Sequence, residues 1–370
     1  MMNKRRIRIA VATAAGAAAV VGGLGFSTVA SAVPATPATS ATGSVTVPAG
    51  FTATVFAHAG AKVSSPDEIT ELDGKVFVGY QNGVGTKGEP STTGQTASTV
   101  VEYNEHGKEV AHWNLKGRVD GLGADSRHHR VIATVNMDGN SSVYTVAPNG
   151  EHGVKHYHYS SLPHGGGTAS VSVHDGAVYV VASNPKPGKD GATAGLPGMY
   201  KVTFSGHTAK TTPVFDDGVN VTQSWGKNAG QPFPLNLRSQ DFGTFVPAQV
   251  PNVGGDLMVS TGAANETTNE VLFIHHLGQA DQSAHIALQL SPGDDAFATT
   301  SSGTLYAVDG ANNDVVAITG HFTPGEAFAS TSGGLGTLNM KSDFLFPASF
   351  SNVMSKGLMF VPSDVDHAGQ

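Results

Sequence analysis

Acidic and amide side chains recur along this chain where short apolar segments begin and where the following ones end. Asp67, Glu68, Asp120, Asp294, Asp295 and Glu326 stand at beginnings, and Asn136, Asp138, Asn140 and Asp309 stand at ends or in the turns after them. Gathered on one face, such oxygens would repel one another without a cation, and hard carboxylate and amide donors suit Ca²⁺ better than Zn²⁺. By repeat position, Glu68, Asp120, Asn136 and Asp294 are the expected ligands of a bound Ca²⁺. The plainer alternative is that acids and asparagines cap turns, as in any β protein. His164 precedes Gly165-Gly166-Gly167 and opens a segment of the same kind, which makes its imidazole the candidate catalytic base or a further ligand. His156 and His158 are two apart and share one face of a strand. The glycine run lacks the Gly-Lys-Ser/Thr ending of a phosphate loop, and neither a Gly-x-Ser-x-Gly elbow nor a His-Glu-x-x-His pair occurs.

The elements that must position these groups are strands. From Val119 to Val146, three apolar or β-branched pieces (Val119–Asp125, Arg130–Val135, Ser142–Val146) are separated by polar breaks. Asp138-Gly139-Asn140 predicts a tight reversal between two of them, because Gly supplies positive φ without a Cβ clash. The same order returns along the chain. First pieces are Pro66–Thr70, Gly167–Val171, Gly293–Phe297 and Gly325–Ala329; second pieces are Lys75–Tyr80, Ala177–Ala182, Asp256–Thr261 and Thr304–Asp309. Third pieces are Thr99–Tyr103, Met199–Phe204, Glu270–His275 and Asp314–Ile318, and weaker fourth pieces follow at Glu109–Asn114 and Lys155–Tyr159. A repeat of roughly 50 residues without helical periodicity predicts an all-β chain, a β-propeller of about six blades of four antiparallel strands. Gly50–Phe56 is expected to pair with the C-terminal unit, which includes Gly357–Val361, and so close the ring. A pair of β-sandwiches is the alternative architecture. In a propeller the first strand of each blade is innermost, so the acids at its start crowd the mouth of the central channel.

Lys4-Arg5-Arg6-Ile7-Arg8, the apolar run from Ile9 to Phe26 and the small-x-small Ala30-Ser31-Ala32 predict a secretory signal over residues 1–32. Residues 33–49, rich in Pro, Ala, Thr and Ser, are expected to form a flexible linker, 50–362 the propeller, and 363–370 a C-terminal tail. The apolar run is short and weak for a membrane span, so export without stable membrane insertion is expected. Cleavage removes four basic residues and no acid, leaving 17 basic against 29 acidic and a net −12. That sign argues against a nucleic-acid partner and leaves a small molecule or an extracellular protein, bound by a monomer. The chain has no Cys, so an exported fold must be held by its core, by ring closure or by a metal.

Pro66-Asp67-Glu68-Ile69 ahead of Gly74-Lys75-Val76-Phe77-Val78, then Val119-Asp120-Gly121-Leu122, then Gly303-Thr304-Leu305-Tyr306-Ala307-Val308-Asp309 together resemble a known repeat. It is that of the six-bladed propellers of the gluconolactonase, strictosidine-synthase-like and NHL-repeat group, and most nearly that of exported propellers of high-GC Gram-positive bacteria. Lactonases of that group hold a divalent metal at the channel mouth through Glu, Asn and Asp, parts that the resemblance implies for Glu68, Asn136 and Asp294. The third repeat departs from the pattern, since Gly167-Thr168-Ala169-Ser170 offers neither acid nor Asn. Two functional readings follow. An exported ligand- or partner-binding propeller is favoured, because no complete catalytic constellation is present. A divalent-metal-dependent lactonase or esterase, with His164 as base, is the alternative. A quinone-dependent redox propeller fits poorly, since such repeats dock through Trp and this chain has only Trp113 and Trp225.

Overall fold

The computed structural model describes residues 38–39, 45–148, 153–186, 195–216, 220–223, 227–234, 240–261, 269–289, 295–331, 334–339, 344–353 and 355–363. All lie in one compact unit, Thr36–Gln370. The secretory-signal segment 1–32, Asp294 and the tail 364–370 fall outside the described residues. Apart from one 3₁₀ turn at Ser126–His128, the described elements are strands, and no described helix is long and apolar enough to cross a membrane.

Among the described residues the hydrogen-bonded ladders form six units of at least four strands. The first is Pro66–Leu72, Lys75–Tyr80, Ala97–Tyr103 and Glu109–Lys116; the second is Val119–Asp125, Arg130–Val135, Ser142–Val146 and Val154–Tyr159. The third is Gly167–His174, Ala177–Ser183, Pro197–Ser205 and Thr208–Asp216. Its outer strand also touches that of the second through two parallel pairs, His158↔Thr208 and Tyr159↔Ala209. The fourth is Gln240–Phe245, Leu257–Thr261, Asn269–His275 and Ser283–Gln289, with a hairpin, Asn220–Gln223 and Pro232–Pro234, added at its outer edge.

One hydrophobic cluster fills each interface between neighbouring ladders. Phe77 and Trp113 meet Val131 and Tyr144 between the first two, Ile132 and Val143 meet Val180 and Tyr200 next, and Val181 and Met199 meet Val259 and Leu272 after that. Met258 and Phe273 then meet Phe297 and Ala327; Phe328 and Leu335 meet Leu305 and Ile318; Val308 and Val315 return to Val78 and Tyr103 on the first ladder. The sequence of interfaces closes on itself. That is radial closure, which leaves no long sheet edge exposed, and it makes the fold a β-propeller.

The last two ladders are interleaved. The fifth runs Asp295–Phe297, Ala327–Thr331, Gly334–Asn339 and Phe344–Ser351, and the sixth runs Ser355–Pro362, Ser302–Asp309, Asp314–His321 and Thr52–His58. The chain therefore lays the innermost strand of the fifth, leaves to make a hairpin of the sixth, returns to finish the fifth, and ends as the innermost strand of the sixth. The sequence pattern predicts contiguous units here, with Gly325–Ala329 as an innermost strand. Instead Ala327–Thr331 is the second strand, paired with Asp295–Phe297. Period-two alternation specifies which face of a strand is buried but carries no information about its partner.

The expected closure by an N-terminal strand is present, since Thr52–His58 pairs antiparallel with Asp314–His321. The expected linker also contributes. Thr46–Val47 pairs with the fifth ladder at Ser351 and Ala38–Thr39 pairs with Thr46–Val47, so the boundary placed at residue 50 is too late for the strands. Val45 and Val47 are buried in the cluster between ladders five and six. Two hairpins turn on Asp-Gly with both residues at positive φ, Asp73-Gly74 (53° and 77°) and Asp175-Gly176 (50° and 72°), the geometry that suits strand twist. Asp138-Gly139-Asn140, by contrast, is no tight reversal. The ladder closes at Val135↔Ser142, so 136–141 is a longer loop, with Asn136 and Asn140 themselves left-handed at 67° and 56°.

The innermost strands approach one another closely around the axis. A Cβ on Gly121 would lie 2.6 Å from Thr134 Oγ1 and 2.8 Å from both Ala169 O and Ser170 Cα. Gly121→Ala should force the second and third ladders apart and cost about 1–3 kcal/mol, read as a lower chemical-denaturation midpoint. Gly60→Ala, like Gly121 outside positive φ and with no atom nearer than 3.7 Å to the added carbon, controls for loss of a glycine without the clash.

Candidate channel-mouth and central-channel site

A register shift recurs near the start of four innermost strands, between Pro66 and Glu68, Val119 and Gly121, Thr168 and Val171, and Gln240 and Phe242. A bulge leaves one residue without a cross-strand partner and re-aims its side chain. The skipped residues include Asp67, Asp120 and Asp241; in the third ladder they are Ala169 and Ser170. Of the acids in the sequence pattern, Asp67 and Asp120 are bulge residues.

Asp67 and Asp120 meet over one amide. Gln81 Nε2 donates to Asp67 Oδ2 at 2.6 Å, to Val119 O at 3.1 Å and to Asp120 Oδ1 at 3.3 Å. Arg118 Nε lies 3.0 Å from Asp120 Oδ1, and the backbone N–H of Met137 donates to Asp120 Oδ2 at 3.1 Å. Asp120 is only 4% exposed. Burial is the largest influence on it and pushes its pKa up to about 7, against the pull of Arg118 and with repulsion from Asp67 adding to the rise. Burial likewise raises Asp67, opposed by Arg118 and Lys356. The cluster ties the first two innermost strands together, and burial favours the protonated form of both acids.

Beyond the mouth, five innermost strands enclose a cavity of about 330 Å³. Its polar lining comes from Glu68, Thr70, Ser170, Ser172, His174 and Thr244. His174 stacks on Phe245 with ring centres 4.0 Å apart and planes 11° from parallel, an aromatic wall to the channel. Two lining hydroxyls are spent on the wall: Ser170 Oγ accepts from Gly243 N at 2.8 Å, and Ser172 Oγ donates to Gly243 O.

Of the four expected calcium ligands, three lie among the described residues. Glu68 lines the channel, Asp120 lies in the mouth cluster, and Asp294 is outside the described residues. Asn136 is committed to its own loop: Oδ1 accepts from Arg118 N at 2.9 Å and Nδ2 donates to Asn140 O at 3.0 Å. Among the described residues no group of three or more His, Asp or Glu is arranged to hold a metal ion.

His164 is fully buried. Its Nε2 faces two acceptors, Gly167 O at 2.7 Å and Ser183 O at 3.2 Å, so Nε2 carries the hydrogen and Nδ1 accepts from Tyr200 O–H at 2.7 Å. Burial pulls its pKa down. The ring ties the 161–167 loop to the third ladder, and service as a base would first require the Tyr200 hydrogen bond to open. His164→Ala leaves two carbonyls and a hydroxyl without their partner and should cost about 2–4 kcal/mol in denaturant unfolding.

Sequence reasoning misses Gln81, Arg118 and Lys356. Gln81 and Arg118 sit one residue beyond a strand end, Gln81 after Tyr80 and Arg118 before Val119, and that position is the available signal.

No family model matches this chain, and no curated protein does. Among solved structures, one similar chain is Kuenenia stuttgartiensis hydrazine synthase, 11% identical over 84% of this chain and 98% of that one, with a TM-score of 0.45. Another is the β-propeller domain of Myceliophteria thermophila Cps50 (Swd1), 9% identical over 80% and 88%, TM-score 0.42. A third is a putative 6-phosphogluconolactonase from Bacteroides uniformis, 10% identical over 80% and 100%, TM-score 0.33. Likeness at this level carries no functional information, and the fold assignment stands on the ladders and their interfaces.

Proposed function

We propose that this chain is an exported six-bladed propeller that binds a small polar ligand in its central channel. The observation that supports it is the cavity itself, concave, walled by one aromatic stack and lined by a few convergent hydroxyls, a carboxylate and an imidazole. The mouth acids are engaged by Gln81, Arg118 and Met137 N, and Thr70, His174 and Thr244 are the cavity side chains that would meet a ligand. The basic, apolar and Ala-x-Ala pattern of residues 1–32 supports export, and secreted protein should begin at Val33 by mass. The binding reading is tested by a thermal-shift screen of neutral polyols, amides and hydroxy acids against wild type and Thr70→Trp, which fills the cavity. Compounds that raise the melting temperature of wild type alone support the channel site. Compounds that stabilise both proteins equally, or none that stabilise wild type, overturn it.

The second reading is a divalent-metal-dependent lactonase, favoured by two carboxylates at the mouth of the same channel. A cation there would polarise a carbonyl and activate water. Asp67, Asp120 and Glu68 would have to turn toward it, with Arg118 displaced. Metal analysis and a lactone panel with and without chelator decide: chelator-sensitive turnover supports this reading. Metal-free protein whose melting curve is unmoved by added Ca²⁺ rejects it.

A further inference from the structure

A second pocket, of about 180 Å³, lies where the first and second ladders meet, away from the channel. It is lined by Gly88, Lys116 and Gly117 from the first and by Asn136, residues 140–142, Tyr144, His156 and His158 from the second. No carboxylate is among its lining residues, although the chain as a whole carries 29 acids against 21 bases. Its histidines follow from register. His156 pairs across the ladder with Tyr144 and His158 with Ser142, so period two puts all four side chains on one face.

The surroundings of these histidines differ from those of the others. Eight other histidines of the described structure each have a carboxylate oxygen within 4.0 Å, as His58 has Asp314 and His112 has Glu109. Burial is the largest influence against the protonated form of His156, and the neighbouring His158, His207 and Lys116 add to it. His207 reaches it from the third ladder, with Nδ1 3.4 Å from His156 O. The His156 ring lies flat on Tyr144, centres 4.2 Å apart and planes at 6°, with Nε2 2.8 Å from Ser142 Oγ. His158 tilts against its other side at 4.5 Å. An electron-rich Tyr face supports an imidazolium, but nothing in the lining supplies the counter-charge.

We propose that this pocket is a pH-gated site for a small tetrahedral oxyanion, sulfate or phosphate, free or as an ester, held between Lys116, His156 and His158. The volume is about six waters' worth, enough for a four-oxygen anion and part of its hydration. Histidine gains charge on acidification and lysine keeps its own, so the pocket becomes more cationic toward an anion as pH falls. Binding strengthens on acidification, and the ligand and the protons favour each other reciprocally.

Sulfate is the decisive probe, because its own charge is constant between pH 5.5 and 8 and any change reports the protein. Calorimetric titration at matched ionic strength is expected to show one sulfate site at pH 5.5, at least tenfold weaker at pH 8, with chloride and acetate giving no saturable heat. His156→Gln/His158→Gln should abolish the pH dependence, and Lys116→Gln should weaken binding at both pH values. In wild type alone, sulfate should move the ring-proton titrations of two or three histidines to higher pH by nuclear magnetic resonance, a readout that needs no variant to fold. Equal affinity at both pH values, no saturable heat at pH 5.5, or histidine titrations indifferent to sulfate each overturn the proposal. Phosphate-ester and sulfate-ester sugars, run as further arms, assign the source of the anion.

Discussion

A chain that begins at Gly60, lacking Thr46–Val47 and Thr52–His58, is expected to lose its cooperative melting transition and to aggregate. A chain beginning at Ser44 should melt like the longer protein. Thr52–His58 covers six consecutive register positions of Asp314–His321, which would otherwise be an open edge. Val45, Val47 and Ala53 are buried between the fifth and sixth ladders, and Phe51 packs edge-on against Phe322 and Phe350 at 5.1 and 5.4 Å. Burying a Val or Phe side chain is worth about 1.5–3 kcal/mol. Losing several exceeds or matches a net stability of roughly 5–15 kcal/mol. A synthetic peptide spanning residues 44–59, added to the shortened chain, should restore the transition. A shortened chain that melts cooperatively at the original temperature would show that the ring closes elsewhere.

Asp120→Asn is expected to stabilise the protein at pH 8 while changing little at pH 4. The carboxyl titrates at about 7 in the fold and at an ordinary 3.8 when exposed. Between those values the folded state keeps a proton that the unfolded chain has released. Stability therefore falls as pH rises through that window and levels off above about 7. Three units correspond to a ceiling of about 4 kcal/mol, which relaxation around Arg118 reduces. Asn mimics the protonated acid and removes the slope. His164 acts with the opposite sign. Its lowered pKa means that the unfolded chain binds the proton more readily, so its contribution is lost as pH falls below about 6.5. The difference between wild type and Asp120→Asn, measured by denaturant unfolding from pH 4 to 8, isolates the one group. Asp73→Asn, in an exposed turn already at positive φ, is the control. A difference that does not grow with pH would mean that Asp120 is ionised throughout.

The strands of the first three ladders are legible from alternation and turn residues, because each pairs mainly with its sequence neighbour and local pattern is enough. Pro66–Leu72, Arg130–Val135 and Ser142–Val146 fall where apolar runs are bounded by polar breaks. The exchange of strands after residue 295 is not legible, since Ser302–Asp309 looks like a partner for either neighbour. At the mouth, the recurrence of acids is visible, but the choice of Glu68 over Asp67 depends on a bulge that shifts the register by one, and bulges leave no reliable residue signature. Asn136 is legible as a ligand or a turn cap, and in the structure it is left-handed, accepts from Arg118 N and donates to Asn140 O.

Synthesis proceeds from the N-terminus, so Thr52–His58 is made early and its partner Asp314–His321 near the end. His58 and Asp314, joined at 2.7 Å, are 256 residues apart in sequence. Against a four-residue turn that separation is six doublings of loop length, or about 4 kcal/mol of additional closure entropy. It is repaid only once the other ladders have already drawn the two ends together. Thr52–His58 can thus commit to Asp314–His321 only after most of the chain has been made. The interleaving of the fifth and sixth ladders then makes that commitment a single, late event that a truncated product cannot complete.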